Sequence, residues 1–118
     1  MNYKKIARSA NGVQILEIHG RFDAHVVPEI KEWFEELQEN DNNQILINMV
    51  GVHFIDTRAL STLMMIMKRC RENGGWFRIC SLQQPVRIII ELMHLNKIFD
   101  IFEEENDALE ASPMMLGD

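Results

Sequence analysis

An apolar run, Ile45-Leu46-Ile47, leads through Gly51-Val52-His53-Phe54-Ile55 to Asp56-Thr57, and apolar residues then recur at Leu60, Leu63, Met64 and Met67. A spacing of three and four marks one face of a helix, while the preceding run reads as a buried strand. A strand passing through a short loop into an amphipathic helix is the repeating unit of a layered α/β domain. Asp56 suits the N-cap, because its carboxylate accepts from the free backbone N–H groups of the first turn. Thr57 then takes the first helical position, with its hydroxyl near the positive end of the helix dipole. A phosphoryl group is electrostatically favoured there, so the layout suits a switch. The plainer reading is that Asp56 only caps the helix.

The rest of the chain fits the same layering. Val13, Ile15, Leu16 and Ile18 lie in a strand that follows Asn11-Gly12, and residues 3–8 are its antiparallel partner across that tight turn. Arg21-Phe22-Asp23 reads as a loop. Val26, Ile30, Trp33, Phe34 and Leu37 recur at helical spacing and predict a helix ending near Asn40. Gln44 to Met49 is the second buried strand, and Thr57 to Arg71 the second helix, stopped by Asn73-Gly74-Gly75. Trp76 to Cys80 forms a strand, and Pro85 opens a third helix carrying Val86, Ile89, Ile90 and Met93. Lys97 to Phe102 reads as a last strand and Asn106 to Ala111 as a short acidic helix. The expectation is one α/β domain over residues 3–111, a mixed sheet of four or five strands with helices packed mainly on one face. Residues 112–118 are expected to be a frayed tail.

Composition narrows the function. The 118 residues suffice for a single core, and 47% apolar with 25% charged residues is ordinary for a globular domain. A net charge of −6 disfavours nucleic acid as a partner, since phosphate binding needs a clustered basic face. Lys68, Arg69 and Arg71 sit at a helix end, where the dipole favours cations in any protein. No apolar run approaches the ~20 residues that span a bilayer, and Met1 to Lys5 is followed by no apolar segment of a signal peptide. A cytoplasmic protein without membrane contact is expected. Cys70 and Cys80 make no CxxC pair, and His19, His25, His53 and His94 are scattered, so neither a metal site nor a disulfide is expected. No nucleophile–base pair or phosphate-binding glycine loop is present, and an enzyme is the least favoured class.

Three motifs, in this order and spacing, resemble the STAS domain and, more narrowly, the bacterial anti-sigma factor antagonists. Gly20-Arg21-Phe22-Asp23-Ala24 is similar to the family's Gly-x-hydrophobic-Asp loop before the first helix. Val52-His53-Phe54-Ile55-Asp56-Thr57 is similar to its hydrophobic-Asp-Ser phosphorylation turn. Pro85-Val86-Arg87 through Glu91-Leu92, with Leu95 and Ile98-Phe99, resembles its third helix and closing strand. The resemblance implies a binding protein with no cofactor of its own. Its partners would be an anti-sigma factor that is also an ATP-dependent serine/threonine kinase, and a metal-dependent phosphatase. The hydroxyl after the Asp corresponds to Thr57, with Ser61 one turn on as the second candidate. Asp23 and Asp56 match the two acidic positions flanking that hydroxyl.

The chain departs from the family where Ser-Ser-Gly-Leu is usual and Thr57-Arg58-Ala59-Leu60 stands instead. Threonine remains phosphorylatable, and relatives in stress-signalling complexes use it. Arg58 can pair with a phosphate or an acidic partner, whereas Ala59 favours the helix and is expected to crowd a partner approaching the backbone. One alternative is a STAS module without phosphorylation, serving as a scaffold or as a subunit of a transport complex. Another is a receiver domain phosphorylated on aspartate. A receiver holds Mg²⁺ with an acidic pair after its first strand, and Asn11-Gly12 and Gly20-Arg21 supply none. The sequence leaves the oligomeric state open.

Overall fold

Asn11 and Gly12 both have positive φ, 53° and 83°. That is the backbone a two-residue turn between antiparallel strands requires. It joins β1 (Lys4–Ala10) to β2 (Val13–Phe22) with Ala10 opposite Val13. This computed structural model describes residues 3–112. The chain continues through α1 (Val27–Glu39), β3 (Gln44–Ile55), α2 (Thr57–Glu72), β4 (Trp76–Cys80) and α3 (Gln84–Leu92). A 3₁₀ turn (Leu95–Lys97), β5 (Asp100–Phe102) and α4 (Glu105–Glu110) complete it. The five strands form one mixed sheet in the order β1-β2-β3-β4-β5, in which β1 is antiparallel and the others run parallel.

Strand alternation divides the apolar residues between two faces. Leu16, Ile18, Ile45, Ile47, Met49, Phe77 and Ile79 point to the face covered by α1, α2 and α3. They meet Ile30 and Phe34 of α1, Leu63 and Ile66 of α2, and Val86 and Ile90 of α3. The other face carries a smaller cluster, Val13, Ile15, Leu46 and Cys80, closed by Ala108 of α4. Val13, Ile15, Leu16 and Ile18 are all buried because β2 is covered on both sides. On the smaller face Arg78 is also buried, its guanidinium 3.9 Å from the Trp76 ring centroid and donating to the Ala108 carbonyl at 2.8 Å.

Several boundaries differ from the sequence reading. Arg21 and Phe22 belong to β2 and are not a loop, since they pair with Phe54 and Ile55 of β3. β3 likewise runs on to Ile55 where a loop after Met49 was expected. Both strands extend because they pair with each other beyond the end of β4, which meets β3 only at Gln44 to Asn48. Gly20, with φ +94°, lies at a register shift in that pairing, a bulge that redirects the end of β2. The expected last strand begins three residues late, because Leu95–Lys97 forms a 3₁₀ turn after His94 at positive φ. The helix α2 ends in a Schellman motif: Gly74 has φ +80°, Gly75 N–H donates to Cys70 O and Gly74 N–H to Arg71 O. Of the expected tail, residues 113–118 lie outside the described residues. No helix among the described residues is long and apolar enough to cross a membrane.

Candidate functional site

The carboxyl ends of β2 and β3 bring together the loop into α1 and the first turn of α2. Asp56 joins the two. Its Oδ1 accepts from Ala59 N–H at 2.9 Å, the N-cap bond, and its Oδ2 accepts from Ala24 N–H at 3.0 Å in the loop after β2. Its own N–H donates to Phe22 O at 3.3 Å. One carboxylate therefore fixes both halves of the site. Of α1, α2 and α3, only α2 has such a side-chain cap, as Val26 and Gln83 make none.

Asp23 organises the adjoining turn. Its Oδ1 accepts from His25 N–H at 3.1 Å and its Oδ2 from Arg21 Nε at 3.3 Å. Desolvation opposes its ionisation, but the Arg21 hydrogen bond and the His25 N–H outweigh it and hold the carboxyl below the usual aspartate range. Arg21 in turn lies 3.8 Å from the centroid of Phe54, its cross-strand partner. Sequence reasoning quoted both residues inside motifs but missed their contact. The missed signal was the pairing of β2 with β3 past Glu17, which places these two side chains opposite each other.

Thr57 is the first residue of α2 and is exposed. Its hydroxyl has no hydrogen-bond partner among the described residues, unlike Thr62, whose hydroxyl donates to Arg58 O at 3.0 Å. Asp56 takes the Ala59 N–H, and among the described residues the Thr57 and Arg58 N–H groups stay open at the positive end of the helix. Arg58 is exposed and forms no ion pair among the described residues. Ser61 is exposed one turn further along. So Asp23, Asp56, Thr57 and Arg58 share one surface, with Ser61 beside it on α2.

Ala59 corrects an expectation. Its side chain is 0% exposed and packs in the main core, so its methyl group faces inward and does not crowd an approaching partner. Beyond Ser61, α2 presents Met64 at 37% exposure and a half-buried Met65, while Met67 is buried. A groove there is lined by Ser61, Met64, Met65, Lys68 and Arg71. Among the described residues no cluster of His, Cys, Asp and Glu could hold a metal ion.

The sequence profile of the STAS domain family matches residues 4–108 of this chain. The chain is similar to the anti-sigma F factor antagonist of Paenibacillus polymyxa, 24% identical over 92% of this chain and 94% of that protein. Its fold superposes on TM1081 from Thermotoga maritima with a TM-score of 0.85 at 24% identity, covering 90% of this chain and 92% of the other. It also superposes on the anti-sigma factor antagonist SpoIIAA in its unphosphorylated form, with a TM-score of 0.76 at 15% identity, over 92% and 93% of the two chains. The phosphorylated form of SpoIIAA, from Bacillus, gives 0.71 at 14% identity, over 92% and 96%. At these identities the structural likenesses establish the fold.

Proposed function

Because the chain belongs to the STAS domain family, we propose that it is an anti-sigma factor antagonist switched by phosphorylation of Thr57. It binds an anti-sigma factor that carries serine/threonine kinase activity, and a metal-dependent phosphatase resets it. ATP and metal belong to those partners. The binding role is supported by similarity to the antagonist of Paenibacillus polymyxa. The solved phosphorylated and unphosphorylated forms of SpoIIAA support the switch.

The observation that carries the reading is the division of labour between neighbours. Asp56 uses both carboxylate oxygens to hold the loop after β2 against α2, while the Thr57 hydroxyl is exposed and has no hydrogen-bond partner among the described residues. A phosphate on Thr57 adds about 1.5 to 2 negative charges. The open N–H groups of the first turn and the Arg58 cation offset that charge within the folded domain. No bond that secures the fold is lost. A partner fitted to the unmodified hydroxyl, however, meets new charge and bulk beside Asp23 and Asp56. The expected loss of affinity is on the order of 10²-fold, or about 3 kcal/mol.

The test begins by purifying the chain with its bound partner from its host and identifying that partner by mass spectrometry. The complex is then incubated with Mg²⁺ and ATP. One phosphate should appear on Thr57, vanish in Thr57→Ala and persist in Ser61→Ala. Phosphate confined to Ser61, or none with an active kinase bound, would refute the assignment of Thr57.

A further inference from the structure

We propose that α4 is a detachable strap, held over the smaller face of the sheet by arginines and released as a unit while the rest of the domain stays folded.

The contacts of α4 differ in kind from those of the other helices. Five of the eight residues 103–110 are acidic, and arginines from three separate elements engage this segment. Arg8 of β1 grips Glu105 with both terminal nitrogens, at 2.8 and 2.6 Å. Arg87 of α3 donates to Glu103 at 3.2 Å. Arg78 of β4 donates to the Ala108 carbonyl in the last turn, at 2.8 Å. Asn48 of β3 adds a bond to Glu105 at 2.8 Å. Against these stands little apolar burial: Ala108 is the one fully buried side chain of the helix, with Leu109 partly buried. Six helical residues do not hold a helix in water unaided, so α4 persists only while docked. Segments with few buried apolar contacts open at a lower free energy than the core.

Opening the strap uncovers Val13, Ile15, Leu46 and Cys80. It also breaks the Arg8–Glu105 pair and the Arg78 bond to Ala108 O, leaving Arg8 on Glu17 and Arg78 over the Trp76 ring beside that apolar surface. The strap stands on the sheet face opposite α1, α2 and α3, so its release leaves the Asp56 bonds untouched.

Two buried thiols make the idea testable within one molecule. Cys80 lies beneath α4 on the smaller face, and Cys70 of α2 lies in the main core. A thiol in the core reacts when the whole domain opens, whereas Cys80 reacts when the strap lifts. The full chain is incubated with iodoacetamide, and alkylation at each cysteine is followed by peptide mass spectrometry. Cys80 should label at least about tenfold faster than Cys70. Raising the NaCl concentration should speed Cys80 further and leave Cys70 unchanged, since salt screens the exposed pairs. Arg8→Gln should accelerate Cys80 by about fivefold, the worth of one exposed bidentate pair. Losing the nearby cation disfavours the Cys80 thiolate, so a direct electrostatic effect would have the opposite sign. Equal rates for the two cysteines in the unmodified chain would overturn the proposal. So would an Arg8→Gln variant in which Cys80 and Cys70 change together, or a Cys80 rate indifferent to both salt and the substitution.

Discussion

The two faces of this sheet are built on different physics. Under α1, α2 and α3 lies a continuous apolar cluster that includes Phe22, Phe34, Phe77 and Leu63. Under α4 a few apolar side chains are supplemented by Arg8, Glu17, Glu105, Asn48 and the buried Arg78. Burial of large apolar side chains is worth roughly 1.5–3 kcal/mol each, while exposed ion pairs contribute about 0–1 kcal/mol. The first face therefore fixes the geometry of the Thr57 surface, and the second contributes contacts that salt and acid can weaken. The phosphorylation proposed for Thr57 would act on that rigid frame, changing one charge without moving it.

Truncating one residue on each face should separate the two most clearly. Phe34 is fully buried in the large cluster, so Phe34→Ala should cost about 3–5 kcal/mol by urea denaturation. Leu109→Ala, on the half-buried side of α4, should cost less than about 1.5 kcal/mol. Equal losses would mean that the faces are equivalent. Next in size is Asp56→Ala. It leaves the Ala59 and Ala24 N–H groups without their acceptor and should cost about 2–3 kcal/mol by the same measurement. Asp56→Asn should recover part of this, because the amide oxygen can still accept one of the two bonds.

The smallest expected effect is that of pH. Bonds from His19 first, and then from Arg8, hold the Glu17 carboxyl below the usual range against desolvation. For Glu105 the Arg8 bond comes first, and Asn48 adds to it. Both are depressed acids, so the stability they confer is present above the ordinary glutamate value of about 4.5 and is lost as pH falls through their folded values. Thermal melts from pH 7 down to pH 3 should show a fall beginning below about 4.5 that is shallower in Glu105→Gln. An identical acid limb in that variant would remove Glu105 from the account.

Much of this was legible in the sequence because the signals were local. The turn at Asn11-Gly12, the cap at Asp56, the stop at Gly74 and the 3.6-residue periodicities of α1 and α2 each follow from a few neighbouring residues. The extension of β2 and β3 was not legible, since residues 21–22 and 51–55 are strands only by pairing with each other. Nor was the burial of Arg78, whose place depends on Trp76 beside it and on the carbonyl of Ala108 thirty residues away. At the site, the sequence singled out Asp23, Asp56, Thr57 and Arg58, and the fold brings them onto one surface. The inward direction of Ala59 is set by the pitch of α2 against the core, which no motif records.

If the proposed switch operates, charge at Thr57 changes docking and leaves the domain intact. The direct measurement is calorimetric titration of the anti-sigma factor partner with the unmodified chain, the Thr57-phosphorylated chain and Thr57→Ala, with a melting curve for each. Near-identical melting is expected, with tight binding by the unmodified chain and by Thr57→Ala and binding weakened on the order of 10²-fold by the phosphate. Equal affinity of the phosphorylated and unmodified chains would contradict it, as would a phosphorylated chain that binds weakly only because it has unfolded.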